Sequence, residues 1–81
     1  MNATYDREAD AAYVGFSSRT SARQVQLDDS RILDYSADGA LVGVEFLSPS
    51  LGVDLAGIPR AHEVAQALHR LGLKVRSATP D

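Results

Sequence analysis

Hydrophobic and polar residues alternate most regularly between residues 31 and 47, R-I-L-D-Y-S-A-D-G-A-L-V-G-V-E-F-L. Strand-forming residues lie on both sides of Asp38-Gly39, a dipeptide typical of tight turns because glycine accepts a positive φ without a Cβ clash. The second run divides into an apolar face and a mixed face, which are Val42, Val44 and Phe46 against Leu41, Gly43, Glu45 and Leu47. This stretch therefore predicts a β-hairpin.

The mixed face of residues 41–47 carries two leucines around a glycine. A solvated face would usually be more polar, so we expect this face to be covered by a helix or by another subunit. Leu41, Gly43 and Leu47 are therefore the candidate dimer surface.

Three further strands are predicted before the hairpin, at residues 2–5, 11–16 and 23–28. The first two are joined by the polar segment 6–10 and predict a hairpin of their own, whereas the polar loop 17–22 lacks turn-specific residues. Each strand is expected to pair with its neighbour along the chain, as in a meander.

The pattern changes after residue 47, where S-P-S interrupts the sheet because proline cannot donate to a ladder. Residues 48–58 are interpreted as a packed connection. Residues 59–72 predict a helix, with Pro59 as its first helical residue and Gly72 just past its end. Its apolar stripe consists of Ala61, Val64, Ala65, Leu68 and Leu71. A brief strand and a frayed tail are expected over residues 73–81.

These elements predict one α+β domain over residues 1–81. It consists of an antiparallel β-meander of about five short strands over residues 1–47, followed by one C-terminal helix packed on the sheet. A chain of 81 residues buries only roughly 60–65% of its unfolded surface. Without cysteine it has no disulfide to compensate, so we expect it to form a homo-oligomer, most simply a dimer.

The sequence begins without a basic and apolar signal region, and no apolar run approaches the ~20 residues that span a bilayer. A cytoplasmic protein without a membrane partner is therefore expected. Its 11 acidic and 8 basic residues give a net charge of -3. The basic residues are scattered, which argues against a nucleic-acid surface unless a dimer brings Arg70, Lys74 and Arg76 beside their symmetry copies.

Acidic residues cluster at Asp6-x-Glu8-x-Asp10, the spacing of the first ligands of a calcium loop. Ala11 stands where that loop needs glycine and Ser17 where it needs its last acid, so we favour an acidic turn that binds nearby backbone N–H groups. For Asp34, inside a strand, an ion pair with Arg31 or with an arginine of a neighbouring strand is favoured.

Other kinds of catalytic or metal site have little support. His62 and His69 are two helical turns apart, about 10 Å, which is too far for one metal ion. A nucleophile elbow, G-x-S-x-G, and a glycine-rich phosphate loop are absent from the sequence. No metal site and no cofactor are predicted, and enzymatic activity has no positive support.

Two blocks, Y-D-R-E-A-D-A-A-Y-V-G-F at residues 5–16 and I-L-D-Y-S-A-D-G-A-L-V-G-V-E-F-L at residues 32–47, resemble the bacterial family known as domain of unknown function 2283. The matching residues are Tyr5, Asp6, Glu8, Ala9, Asp10, Ala11, Tyr13, Asp34, Gly39, Val42, Gly43, Val44 and Glu45. Ala12 departs from the usual leucine. The resemblance implies a small β-domain without an established activity, for which an antitoxin-like role is conceivable.

The same resemblance suggests that one polar constellation forms the interaction or ligand site, made of Tyr5, Asp6, Glu8, Asp10, Tyr13 and Glu45. Our leading prediction is a non-enzymatic interaction domain that acts as a homodimer and binds a protein partner such as a toxin. One alternative is a small metal- or ligand-binding protein or hydrolase that uses the acidic cluster. The other is a dimeric DNA-binding regulator.

Overall fold

A computed structural model describes residues 1–77. Five antiparallel strands form the main sheet: β1 (Asn2–Asp6), β2 (Ala11–Gly15), β3 (Arg23–Asp28), β4 (Arg31–Tyr35) and β5 (Leu41–Leu47). The chain continues through a 3₁₀ turn (Pro49–Leu51), β6 (Val53–Asp54), helix α1 (Ala61–Arg70) and β7 (Val75–Ser77), and β6 and β7 form a short parallel pair. The predicted α+β class, with five antiparallel strands and one C-terminal helix, is confirmed.

The order of the strands in the sheet is β1-β2-β5-β4-β3, so the fold is not a pure meander. The chain leaves β2, crosses to the far edge of the sheet as β3, and returns through β4 to β5, which lies beside β2. Burial explains this order. Every residue of β3 is exposed, as suits an edge strand, whereas β5 is buried at four of its seven positions and needs a neighbour on both sides.

The two faces of the sheet differ. Antiparallel pairing puts directly opposed residues on the same face. The core face carries Ala12, Val14, Leu33, Val44 and Phe46, and it is covered by Val53, Leu55, Ile58, Val64, Leu68 and Leu73 from the second half of the chain. The hydrophobic core therefore lies between the sheet and residues 53–73, and helix α1 packs against it as predicted.

The other face, which we call the outer face, is made of three rows of opposed residues. The rows are Asp6, Ala11 and Leu47; Thr4, Tyr13, Glu45, Ile32 and Gln26; and Asn2, Gly15, Gly43, Asp34 and Gln24.

Helix α1 begins later than its sequence pattern predicts. Arg60 has a left-handed backbone, with φ at 56°, which separates Pro59 from the first helical residue, Ala61. The helix ends at Arg70, two residues before the predicted bound, and Gly72 lies past its end with a φ of +81°, directly after the C-cap residue Leu71. Ala67 is buried together with Val64 and Leu68, although the predicted stripe leaves it out.

After the helix, β7 pairs with β6 so that Val75 lies opposite Val53. Gly52 allows this close approach, because an added Cβ there would overlap the side chain of Arg76 and its φ is +98°. The tail that we expect to fray extends to residue 81, and residues 78–81 lie outside the described residues. No helix within residues 1–77 has the length and apolar character needed to cross a membrane.

Arg31 fastens the second half of the chain to the sheet. Its side chain lies on the core face, and the residue is only 9% exposed. Nη1 donates to the carbonyl oxygens of Asp54 at 3.0 Å and Ala56 at 2.5 Å. Nε and Nη2 donate to Oδ2 of Asp28 at 3.0 and 2.7 Å. The predicted ion pair between Arg31 and Asp34 is wrong, because residues three apart on a strand point to opposite faces.

The contribution of Arg31 can be measured with Arg31→Met, which keeps an apolar stem but removes the donors. It removes the arginine donors from two carbonyl oxygens and from Oδ2 of Asp28, so we expect a loss of about 2–4 kcal/mol in the free energy of unfolding. For a chain of this size that lowers Tm by roughly 10–20 °C. Arg70→Lys, on the exposed side of α1, is the control and should change stability by less than about 0.5 kcal/mol. Equal stability of the two variants would contradict the proposed role of Arg31.

The Arg31–Asp28 pair also predicts a pH dependence. Hydrogen bonds from Arg31, and then from the Ser30 backbone, lower the pKa of Asp28 below its ordinary value. A carboxyl group with a lowered folded pKa stabilises the protein above its unfolded pKa of about 3.9, and this stabilisation is lost as the pH falls through the folded pKa. We therefore expect Asp28→Asn to be less stable than wild type at neutral pH. Urea unfolding at a series of pH values should show this gap closing below about pH 4, whereas a gap independent of pH would contradict the linkage.

Candidate functional site

The centre of the outer face is formed by Tyr13 lying over glycines. Tyr13 projects from β2, and its phenol group covers Gly43 of β5, where an added Cβ would overlap the phenol oxygen and Cζ. A Cβ added at Gly15 would stand 3.3 Å from Cε2 of the same ring. Glycine inside a strand often marks such a close approach. Because the two glycines have no side chains, they leave room for the tyrosine ring to lie against the sheet.

Asp34 receives the hydrogen bond that this arrangement makes possible. Tyr13 Oη donates to Oδ2 of Asp34 at 3.3 Å, and Nε2 of Gln24 donates to Oδ1 at 2.9 Å. Asp34 is only 7% exposed, and both of its carboxylate oxygens have a donor. The relay Tyr13–Asp34–Gln24 thus connects β2, β4 and β3 across the outer face.

The Tyr13 phenol is held in its protonated form. Burial raises the pKa of Tyr13 above its ordinary value, and the neighbouring carboxylates of Asp34 and Glu45 raise this pKa further. At neutral pH Tyr13 is therefore a hydrogen-bond donor. A phenol with a raised pKa is poorly suited to act as a nucleophile or a general base.

Glu45 lies beside Tyr13 in the middle row of the outer face, opposite Ile32 of β4, and it is half-buried. Within residues 1–77, no hydrogen bond involves the Glu45 carboxylate. The outer face as a whole contains three acidic residues, Asp6, Asp34 and Glu45, and neither lysine nor arginine among the residues of its rows. Its electrostatic character is therefore acidic.

Tyr5 and Asp10 belong to a different cluster. Tyr5 Oη donates to Oδ1 of Asp10 at 2.8 Å, and Ser50 donates its backbone N–H to Oδ1 and its hydroxyl to Oδ2. The hydrogen bonds from Ser50, and then from Tyr5, lower the pKa of Asp10, while the same contact raises the pKa of Tyr5. Asp10 thus joins the β1–β2 turn to the 3₁₀ turn at Pro49–Leu51.

The remaining acids of the first turn have local roles. Oδ1 of Asp6 accepts the backbone N–H groups of Glu8 at 3.1 Å and Ala9 at 3.2 Å, as expected for an acidic turn. Glu8 is exposed in that turn. Across residues 1–77, no group of three or more His, Cys, Asp or Glu side chains is placed to hold a metal ion.

The six predicted site residues are therefore not brought together as one constellation. Tyr5 and Tyr13 lie on opposite faces of the sheet, because Tyr5 is opposite Ala12 of the core face and Tyr13 is opposite Glu45 of the outer face. Tyr13 and Glu45 are neighbours as predicted, whereas Tyr5 and Asp10 face the 3₁₀ turn.

The three candidate dimer residues have different surroundings. Leu41 packs against the hydrophobic core rather than on the outer face, because a register shift between β4 and β5 pairs it with Tyr35. Gly43 is covered by the Tyr13 ring. Leu47 does lie on the outer face, half-buried and opposite Ala11.

Sequence reasoning missed Gln24 and Ile32 as members of this face. Placing these two residues on the face requires the strand order β1-β2-β5-β4-β3. In that order β4 and β3 follow β5 on the side away from β2, so that Ile32 and Gln24 lie beyond Glu45 as seen from Tyr13. The glycines inside β2 and β5 were an available signal, because they indicate that something large crosses the sheet there.

The close fit of Tyr13 over Gly43 can be tested with Gly43→Ala. The added Cβ must displace the phenol ring and also stands 2.9 Å from the Val14 carbonyl oxygen, so we expect a loss of about 1–3 kcal/mol in stability. A double-mutant cycle with Tyr13→Ala is the control. In that background the alanine at residue 43 should cost less, because the ring is gone, and equal costs in the two backgrounds would contradict the overlap with Tyr13.

No curated protein and no solved structure matches the chain at a significant level. A family model described as a protein of unknown function (DUF2283) matches residues 2–50. This range contains all five strands of the main sheet, the outer face and both tyrosine–aspartate contacts. Because the match covers more than half of the 81 residues, the chain belongs to the DUF2283 family.

Proposed function

We propose that this protein is a non-enzymatic interaction domain that works as a homodimer and binds a basic protein partner with its outer face, in the way that an antitoxin binds the toxin it neutralises. The observation that carries the proposal is the composition of that face. Half-buried apolar and aromatic side chains surround Glu45, and lysine and arginine are absent from its rows.

Electrostatics favours a basic partner at this face. Both carboxylate oxygens of Asp34 already accept a hydrogen bond from a neutral donor, so Glu45 is the acidic group best placed to receive a cation. A second copy docked face to face would bring Glu45 and Asp34 close to their own symmetry copies, and like charges across an interface are unfavourable. A partner that presents lysine or arginine avoids this repulsion.

The shape and size of the face suit a transient complex. Tyr13, Ile32 and Leu47 are half-buried and offer apolar contact area around Glu45. A cleft of about 350 Å³ beside Tyr13, at the start of β1 and the end of β2, gives space for a side chain of the partner. The outer face of five strands of this length has an area of roughly 400 Å². This is about half of the ~800 Å² that each partner buries in a standard stable interface.

The two alternatives gain little support from residues 1–77. Metal-dependent hydrolysis requires convergent acidic ligands, and the acids are divided between the two faces of the sheet and the first turn. DNA binding requires a basic surface, and the outer face is acidic.

Charge reversal at Glu45 tests the proposal. The experiment immobilises three proteins on a support at equal density: the wild type, Glu45→Lys and Glu63→Lys. Each is exposed to extract of the cells that produce the protein. The captured partner is then identified and purified. Calorimetry then gives Kd for each variant. We expect Glu45→Lys to weaken binding at least tenfold, since it replaces an attraction by a repulsion, and Glu63→Lys on the helix to leave Kd within about twofold.

A partner with a basic surface, and a Kd that rises with salt concentration, is the result expected from charge complementarity. An acidic partner, or equal Kd values for Glu45→Lys and Glu63→Lys, would overturn the assignment of the outer face.

A further inference from the structure

β3 is an edge strand with an unusual degree of exposure. Within residues 1–77 it pairs with β4 alone, and all six of its residues are exposed. Val25 is 36% exposed and Leu27 is 40% exposed. The opposite edge strand, β1, is different, because two of its residues pack against the core and helix α1 lies beside it. An edge strand with apolar side chains and free backbone N–H and C=O groups is a template for pairing with another strand.

We infer that β3 pairs antiparallel with β3 of a second copy of this chain, across a two-fold axis that passes beside Val25 and stands perpendicular to the sheet. The two five-stranded sheets then become one sheet of ten strands. This inference rests on the homodimer of the proposed function and assigns its interface.

The charges of β3 favour a second copy as the occupant. The strand begins at Arg23 and ends at Asp28, which Arg31 already binds and which Asp29 follows. Antiparallel pairing about Val25 places Arg23 opposite Leu27 of the second copy, next to this acidic end. The two apolar residues, Val25 and Leu27, lie between these ends. The strand is therefore complementary to itself in the antiparallel orientation, whereas parallel pairing would bring like charges together.

The register follows from the symmetry. A two-fold axis perpendicular to the sheet keeps both core faces on the same side, so opposed residues must belong to the same face. Pairing Val25 with its own copy places Gln24 opposite Gln26 of the second copy. Both glutamines lie on the outer face, and their amides are able to hydrogen-bond to each other.

The contact between the two strands is short. The pairing of β3 with β4 shifts register between Gln26 and Asp28, so the regular part of the edge is residues 23–26. A bulge of this kind limits how far pairing extends along an edge. The dimer is therefore concentration-dependent rather than obligate. It also sets the two acidic outer faces side by side, so that one dimer presents two binding surfaces in the same direction.

A cysteine at residue 25 tests the pairing directly, because the chain contains no cysteine of its own. Directly opposed residues of an antiparallel pair have Cα atoms about 4.5–5.5 Å apart, within the range that a disulfide bridges. The control is Leu51→Cys in the 3₁₀ turn, where the residue is 79% exposed and random collisions are at least as frequent. Under mild oxidation we expect Val25→Cys to form the linked dimer at least tenfold faster than Leu51→Cys.

Light scattering of the wild type over a hundredfold dilution tests the homodimer separately from its β3 interface. A mass near twice 8.7 kDa at high concentration, together with fast linkage through residue 25, supports both the homodimer and its β3 interface. A dimer whose Val25→Cys variant links no faster than Leu51→Cys overturns the β3 interface and leaves the homodimer standing. A monomer at every concentration overturns the homodimer itself.

A second variant guards against a misleading cross-link. Val25→Lys places two like charges opposite each other at the axis, and because Val25 is exposed the fold should be retained, as the circular dichroism spectrum checks. We expect the dissociation constant of the dimer to rise at least tenfold, whereas Leu51→Lys should leave it unchanged. An unchanged constant for Val25→Lys would overturn the inference.

Discussion

The guanidinium of Arg31 joins the sheet to the second half of the chain. At this point the buried cation needs hydrogen-bond acceptors, and the second half of the chain needs donors. A cation on the apolar face of a sheet is unfavourable unless it is matched in charge and in hydrogen bonds. Asp28 supplies the charge, and the carbonyl oxygens of Asp54 and Ala56 supply two further acceptors. Those carbonyl oxygens in turn need donors, because they lie at the end of β6 and in the turn that follows it. The arginine and the connection therefore satisfy each other.

This closure explains why the two faces of the sheet have such different characters. On the core face Val14, Val44 and Phe46 are almost fully buried beneath the chain's own second half. On the outer face the ring of Tyr13 lies over Gly43, and residues 53–73 lie on the opposite side of the sheet. One side of the sheet therefore supplies stability, and the other is the face that we propose for recognition. The alternation of residues along each strand separates the two faces.

The sequence predicts well whatever depends on local pattern. The positions of the five strands of the main sheet, the Asp38-Gly39 turn, the backbone contacts of Asp6 and the glycine just past the helix, Gly72, all follow from neighbours within a few residues. The start of the helix is harder to predict from the sequence, because an arginine at residue 60 does not indicate a left-handed backbone.

Strand order could not be obtained in this way. Loop 17–22 permits β3 either to turn back beside β2 or to cross to the far edge, and alternation within the strand is the same in both cases. The candidate site depended on that choice. Only the observed order puts Asp34 and Gln24 beside Tyr13. The ion pair predicted between Asp34 and Arg31 fails for a local reason, because side chains three residues apart on a strand point to opposite faces.

The family match gives this division of the chain a further meaning. Residues 2–50 contain the sheet, the outer face and the exposed edge β3, whereas the cover of the core face comes from residues 53–73. A chain that ended at residue 50 would leave Val14, Val44 and Phe46 bare, and such an apolar face does not remain in water unprotected. The candidate recognition surfaces thus lie in the matched part, and the remainder makes that part stable. Since hydrogen bonds from Arg31 lock the cover in place, substitutions within the cover should affect binding mainly through the free energy of folding.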